Sequence, residues 1–113
     1  GKALEFFRYH YEKIRKKKNQ RERERLGKPR IVEPKVSLEI KLCINAFNEI
    51  SGSRAYTGSG LPLPITFAMV SNFHKLYASS VNFWMFKEIV GQIDVYYLDK
   101  AYQEYKQKAK VRK

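Results

Sequence analysis

Four stretches of this chain repeat their apolar residues at helical spacing, and clusters of Gly, Pro and Ser separate each from the next. That pattern constrains the fold more than any composition figure, because an apolar stripe at spacings of three and four has to be buried against another helix. In the first stretch Leu4, Phe7, Tyr11 and Ile14 form the stripe. After Ile14 the chain becomes RKKKNQRERERLGK, a polar continuation to about Leu26 in which pairs such as Glu12/Lys16 and Lys18/Glu22 support the helix. A helix that is polar all round has nothing to bury, so this part is expected to project or fray, with Gly27 and Pro29 ending it.

The linker KPRIVEPK follows, held extended by its two prolines. Ser37 is placed to cap a second helix running to about Ile50, with Ile40, Cys43, Ile44, Phe47 and Ile50 on one face and Leu42 broadening it. SGSRAYTGSGLPLP, residues 51–64, is a long irregular segment of a kind that is often functional. Pro64 suits the first turn of a third helix ending near Tyr77, whose apolar positions are Ile65, Met69, Val70, Phe73 and Tyr77. Ser79 or Ser80 would start the last helix, which could extend to about Lys108, with Phe83, Phe86, Ile89, Val90, Ile93, Tyr96, Tyr97 and Ala101 as its apolar positions. Gly91 lies inside it at a cost of about 1 kcal/mol relative to Ala, and close helix packing is the expected reason. Past Tyr102 the pattern fades into a frayed basic tail. The fold class is therefore all-α, a small bundle of about four helices with a projecting basic N-terminal helix. Its parts are the basic helix at 1–27, the helical domain at 36–105 and the basic tail at 106–113.

Charge is segregated along this framework. Residues 1–30 hold twelve Lys or Arg against four Glu, residues 31–99 hold five basic against six acidic residues, and residues 100–113 hold six basic against one. A neutral middle with basic ends points those ends at an acidic partner. Cys43, the only cysteine, lies in an apolar run, which excludes an internal disulfide framework and fits a cytoplasmic chain. No apolar stretch reaches the eighteen or so residues of a membrane span. The first helix also has its basic and apolar portions in succession rather than on opposite faces, so no membrane partner is expected.

Nothing in the pattern supports catalysis. His10 and His74 are far apart and have no Cys or His neighbour for a metal. TGSG at 57–60 lacks the spacing of a phosphate loop and reads as a turn. Asp94 and Asp99 are five apart, on different helical faces, and Cys43 has apolar neighbours that disfavour a thiolate. The expected protein is not an enzyme and needs no cofactor. For nucleic acid the candidates are Arg15, Lys16, Lys17, Lys18, Arg21, Arg23, Arg25, Lys106, Lys108, Lys110 and Arg112, all suited to phosphate contacts that carry no sequence information. A helix-turn-helix over 64–97 would offer only Asn82 and Lys87 from an otherwise apolar recognition helix.

Three segments resemble a family of small proteins of tailed bacteriophages, the tail assembly chaperones. AFNEISGSR at 46–54 is similar to that family's aromatic-x-x-Leu-polar-x-x-Arg helix ending, although members often have Trp where Phe47 stands. GSGLPLPITFAMVSNFHKLY at 58–77 is similar to its Gly-x-Gly-x-x-Pro-Ile stretch and the helix after it. FKEIVGQIDVYYLD at 86–99 is similar to its closing helix, with Ile89, Ile93, Asp94, Tyr97 and Leu98 at the matching positions. ERLGKPRIVEP at 24–34 echoes the linker upstream, whereas the strongly basic ends depart from the pattern. The resemblance covers about half the chain. It implies a non-enzymatic assembly factor that binds tail-tube and tape-measure proteins, with Arg54 and Tyr56 beside the long loop as the expected contacts. A nucleic-acid-binding protein using the basic ends is the alternative, and a structural connector of the virion is another.

Overall fold

A computed structural model describes residues 1–12, 25, 27 and 33–111. It contains four helices: α1 (Lys2–Tyr11), α2 (Leu38–Ser51), α3 (Phe67–Tyr77) and α4 (Phe83–Val111). No strand occurs among the described residues, which makes the chain an all-α protein. Helix α4 spans about 43 Å at 1.5 Å per residue and is the spine against which α1, α2 and α3 all pack.

Helix α1 buries Ala3 and Phe7. Phe7 meets Phe47 of α2 and Tyr96 of α4 edge-on, with ring centroids 5.3 and 5.9 Å apart, so it joins three helices at one point. Glu12 follows the last turn and accepts a hydrogen bond from the Tyr96 hydroxyl at 3.2 Å, with the Lys100 ammonium 3.9 Å away. The apolar part of the N-terminal helix thus docks on the bundle. The polar continuation expected to project lies almost entirely outside the described residues.

Helix α2 starts where its cap residue places it. The Ser37 hydroxyl accepts from the Ile40 N–H at 3.2 Å, and Cys43, Ile44, Ala46, Phe47 and Ile50 are buried. Leu42 departs from expectation: it stays at the surface, and Ala46 takes the inner position.

Two helix starts differ from the sequence expectation, each for a reason visible in the packing. Pro64 lies ahead of α3 rather than in its first turn. The cap is Thr66, itself extended, whose hydroxyl accepts from the Met69 N–H at 3.1 Å, while the Ile65 N–H before it is held on the Asp94 carboxylate at 3.2 Å. Helix α3 ends at Tyr77 as expected, yet Tyr77 is 72% exposed. Ser79 and Ser80 do not cap α4. Ala78 and Val81 on either side of them are both buried, and His74 Nε2 donates to the Val81 carbonyl at 2.6 Å, so the turn closes first. The cap role falls to Asn82, which accepts from the Met85 N–H at 3.1 Å.

In α4 the inward positions Phe86, Val90 and Ile93 are fully buried. The helix continues to Val111, three residues past the expected end near Lys108 and through the segment expected to fray, and Lys106 lies over the Tyr102 ring at 4.7 Å on the way. Gly91 is also unlike its expectation. A Cβ placed there would meet no atom of the described residues within 4 Å, so no close approach among them explains it.

The core carries acidic groups that resist ionising. Burial raises the pKa of Cys43, with Glu39 adding to it. Burial likewise raises Tyr96, helped by Glu12, and Tyr97, helped by the Tyr56 hydroxyl beside it. Raised folded values mean that the neutral forms stabilise the fold below the ordinary values of about 8.5 for Cys and about 10 for Tyr. That stability is lost as pH climbs through the higher folded values. Urea unfolding followed from neutral to strongly alkaline pH should show a plateau to about pH 9 and a steady fall beyond it. An unchanged midpoint in strong alkali would contradict this packing.

Candidate functional site

The long segment between α2 and α3 is a small hairpin, and its shape follows from its residues. Tyr56 and Pro62 face each other in an isolated antiparallel bridge, with Leu63 N–H donating to the Ala55 carbonyl at 2.9 Å and Thr57 N–H to the Leu61 carbonyl at 2.8 Å. Gly60 closes the tip at φ +90°, a conformation that glycine adopts without a Cβ penalty. The Thr57 hydroxyl accepts from Leu61 N–H at 3.0 Å and shares a second hydrogen bond with the Ser59 hydroxyl. TGSG is therefore a hairpin tip with its polar groups turned on itself.

Arg54 fastens this hairpin to the bundle. It is 5% exposed, and Asp94 of α4 is equally buried. The guanidinium donates from Nη2 to Asp94 Oδ1 at 2.6 Å, from Nη1 to the Leu63 carbonyl at 3.0 Å and from Nε to the Ser51 hydroxyl at 3.0 Å. Its central carbon lies 4.6 Å from the Tyr97 ring centroid. The second oxygen of Asp94 accepts from the Ile65 N–H. A buried ion pair stands only if its remaining donors and acceptors are also satisfied. Here no buried side-chain polar atom among the described residues lacks a partner.

The expected contact residues therefore separate. Arg54 is an internal tie between hairpin and helix and has no surface to offer a partner. Its charge is matched by Asp94, and its fork of donors is occupied by Ser51 and Leu63. Tyr56, two residues on, is 55% exposed and lies on the rim of an open cleft of about 810 Å³ between α1 and α2. Phe6, His10 and Tyr11 of α1 form one wall, Lys41, Asn45 and Asn48 of α2 the other, and Tyr97 closes the end beneath Tyr56. His10 is bonded to Glu33 across the mouth at 2.8 Å. Aromatic faces alternating with side-chain amides suit a peptide segment, whose apolar side chains seat on the rings while amides satisfy its polar groups.

Asp94 is the functional-site residue that sequence reasoning missed. Its signal was present: a carboxylate on the same stripe as Val90, Ile93 and Tyr97 must find a cation, and Arg54 is the only arginine between residues 31 and 111.

The remaining candidates are scattered. Arg25, Lys106 and Lys108 are exposed. Arg15, Lys16, Lys17, Lys18, Arg21, Arg23 and Arg112, with the side chain of Lys110, lie outside the described residues. Of the two side chains a helix-turn-helix over 64–97 would offer, Asn82 is engaged as a helix cap and Lys87 lies 5.5 Å from each of the Phe67 and Trp84 ring centroids. Asp99 is apart from Asp94 at the surface, accepting from Gln103 at 2.9 Å. No group of three or more metal-ligating side chains occurs among the described residues. Among the described residues no helix is long and apolar enough to cross a membrane.

Comparison with known proteins found no matching family, no matching curated protein and no matching solved structure.

Proposed function

We propose that this protein is a non-enzymatic assembly factor of phage tails, one that holds a segment of tail-tube or tape-measure protein in the cleft beneath Tyr56. The observation that carries the reading is a convergence. The three segments resembling tail assembly chaperones, 46–54, 58–77 and 86–99, meet at the Arg54–Asp94 pair, although Arg54 and Asp94 are forty residues apart. Around that tie they place Phe47, Asn48 and Tyr97 along the cleft. A resemblance spread over three short motifs acquires a single physical purpose if the motifs build one binding surface. The cleft chemistry, aromatic rings beside amides, suits temporary cover for apolar protein surface.

Affinity capture of the chain co-expressed with the tail-tube and tape-measure proteins of a tailed phage tests this. One of the two should be recovered, and Tyr56→Ala should weaken its binding about tenfold, or roughly 1.4 kcal/mol. Capture of neither, or a Tyr56→Ala variant with unaltered binding, sinks the cleft reading. Absence from purified particles separates an assembly factor from a virion connector.

A second reading has one feature in its favour: Lys106 and Lys108 are exposed on the far end of α4, beside the exposed rings of Tyr102 and Tyr105. Cations interleaved with aromatics suit a nucleic-acid backbone and its bases. Binding to a random duplex that weakens steeply between about 50 and 200 mM salt would move the assignment there.

A further inference from the structure

The outer face of α4 has no partner among the described residues, and its residues are spaced for one. Trp84, Glu88, Gly91, Val95, Leu98, Tyr102, Tyr105 and Ala109 recur at alternating intervals of four and three, the seam of a left-handed helix pair. This seam lies opposite the buried positions Phe86, Val90 and Ile93. Along it Trp84 is 68% exposed, Val95 69%, Tyr102 49% and Tyr105 41%. In its N-terminal half an open notch of about 440 Å³ is floored by Gly91 and flanked by Trp84 and Val95. The glycine weakens the helix, and none of the described residues comes near the space a Cβ would take.

We infer that α4 pairs with the α4 of a second copy, antiparallel, about a two-fold axis between Val95 and Leu98. The argument for a second copy is self-complementarity. In that register Gly91 faces the partner's Tyr102, Val95 faces the partner's Leu98, Glu88 faces the partner's Tyr105, and Trp84 faces the partner's Ala109. The layers containing Gly91 and Ala109 each set a small residue against a ring, and the two-fold axis repeats them. The notch at Gly91 is filled by a tyrosine ring, which explains why a glycine is there.

The contact is small. The seam from Trp84 to Ala109 runs about 38 Å, and a helix face that long and about 10 Å wide covers roughly 760 Å² over two copies, the size of a weak, transient dimer. The affinity should accordingly be micromolar. Lys87 of one copy approaches the partner's Lys108 on the flank, so salt should tighten the dimer by screening them. That is opposite to the response of a phosphate contact. The cleft beneath Tyr56 faces away from the seam and stays open, so a dimer would present two clefts. This inference does not depend on the tail-assembly reading.

Sedimentation equilibrium of the full chain, from micromolar to submillimolar concentration and at low and high salt, is the test. A monomer–dimer equilibrium that tightens with salt is expected. Gly91→Leu should weaken the dimer at least tenfold while leaving the thermal midpoint of the dilute monomer equal or higher, since the added side chain starts into open space. Val95→Glu, at a site 69% exposed, should do the same without disturbing the core. The double variant Gly91→Leu/Tyr102→Ala should dimerise again, because the leucine fills the space the ring vacates. A chain that sediments as a monomer throughout overturns the inference. So does a Gly91→Leu or Val95→Glu variant that dimerises like the parent, or a double variant that stays monomeric.

Discussion

Asp94→Ala should cost about 3–5 kcal/mol of folding free energy, enough to bring a domain of this size close to unfolding. The reason is what it leaves behind. The Arg54 guanidinium, 5% exposed and without its 2.6 Å partner, would remain a charge inside the protein, and the Ile65 N–H would lose its acceptor. Arg54→Ala should cost a similar amount by stranding the carboxylate. It would also free the hairpin, because the Ser51 and Leu63 contacts go with it. The informative variant is the double replacement Arg54→Met/Asp94→Leu. Replacing both charges with apolar groups removes the desolvation cost along with the attraction, so the double variant should be more stable than either single one. The coupling, read from urea denaturation of the parent, the two single variants and the double, should exceed about 2 kcal/mol. Single losses below about 1 kcal/mol would mean that the pair is hydrated in solution and that the hairpin is held by other contacts.

That pair also marks where the sequence stopped being readable. Local signals predicted local structure well. Ser37 begins α2 because a hydroxyl at that position satisfies an orphan N–H, and the stripe Cys43, Ile44, Phe47 and Ile50 is buried because its spacing puts it on one face. The failures came where a neighbour outvoted the local preference. Serines 79 and 80 are good caps, but burial of Ala78 and Val81 closed the turn before a helix could begin. Pro64 favours a helix start, yet the Asp94 carboxylate takes the Ile65 N–H and the helix begins only after Thr66. The apolar pattern fades after Tyr102, yet the helix formers Lys, Gln, Ala and Glu sustain α4 to Val111, close to the end expected near Lys108. Of the site, Tyr56 was singled out only through the resemblance, and it lies exposed on the rim of the cleft. The walls of the cleft were not, since they come from residues 6–11 and 41–48, and no short window of sequence contains that juxtaposition.

The second large effect is expected at the junction of those walls. Phe47 is 1% exposed, meets Phe7 edge-on at 5.3 Å and Tyr97 at 6.0 Å, and lies under the Arg54 guanidinium at 5.8 Å. It therefore links α1, α2, α4 and the hairpin anchor through a single ring. Phe47→Ala should cost about 3–5 kcal/mol, the transfer free energy of the ring plus the cavity left where three helices meet. The loss should be unevenly distributed. Only Ala3 and Phe7 of α1 are buried, with Phe6 and Tyr11 partly buried against the core, and Phe7 would lose one of its two edge-on partners. The α1 amides should exchange with solvent at a lower opening free energy than those of α2 and α4, whereas in the parent protein the gap should be smaller. Phe47→Trp adds volume where Phe7 and Tyr97 already touch. It should cost about 1–3 kcal/mol unless α1 shifts outward to admit it. Hydrogen exchange on the three proteins separates the cases. Alanine that loosens α1 first identifies Phe47 as the tie holding one wall of the cleft to the other. Uniform loss across all four helices would instead make α1 as integral to the core as α2, with the cleft opening only on global unfolding.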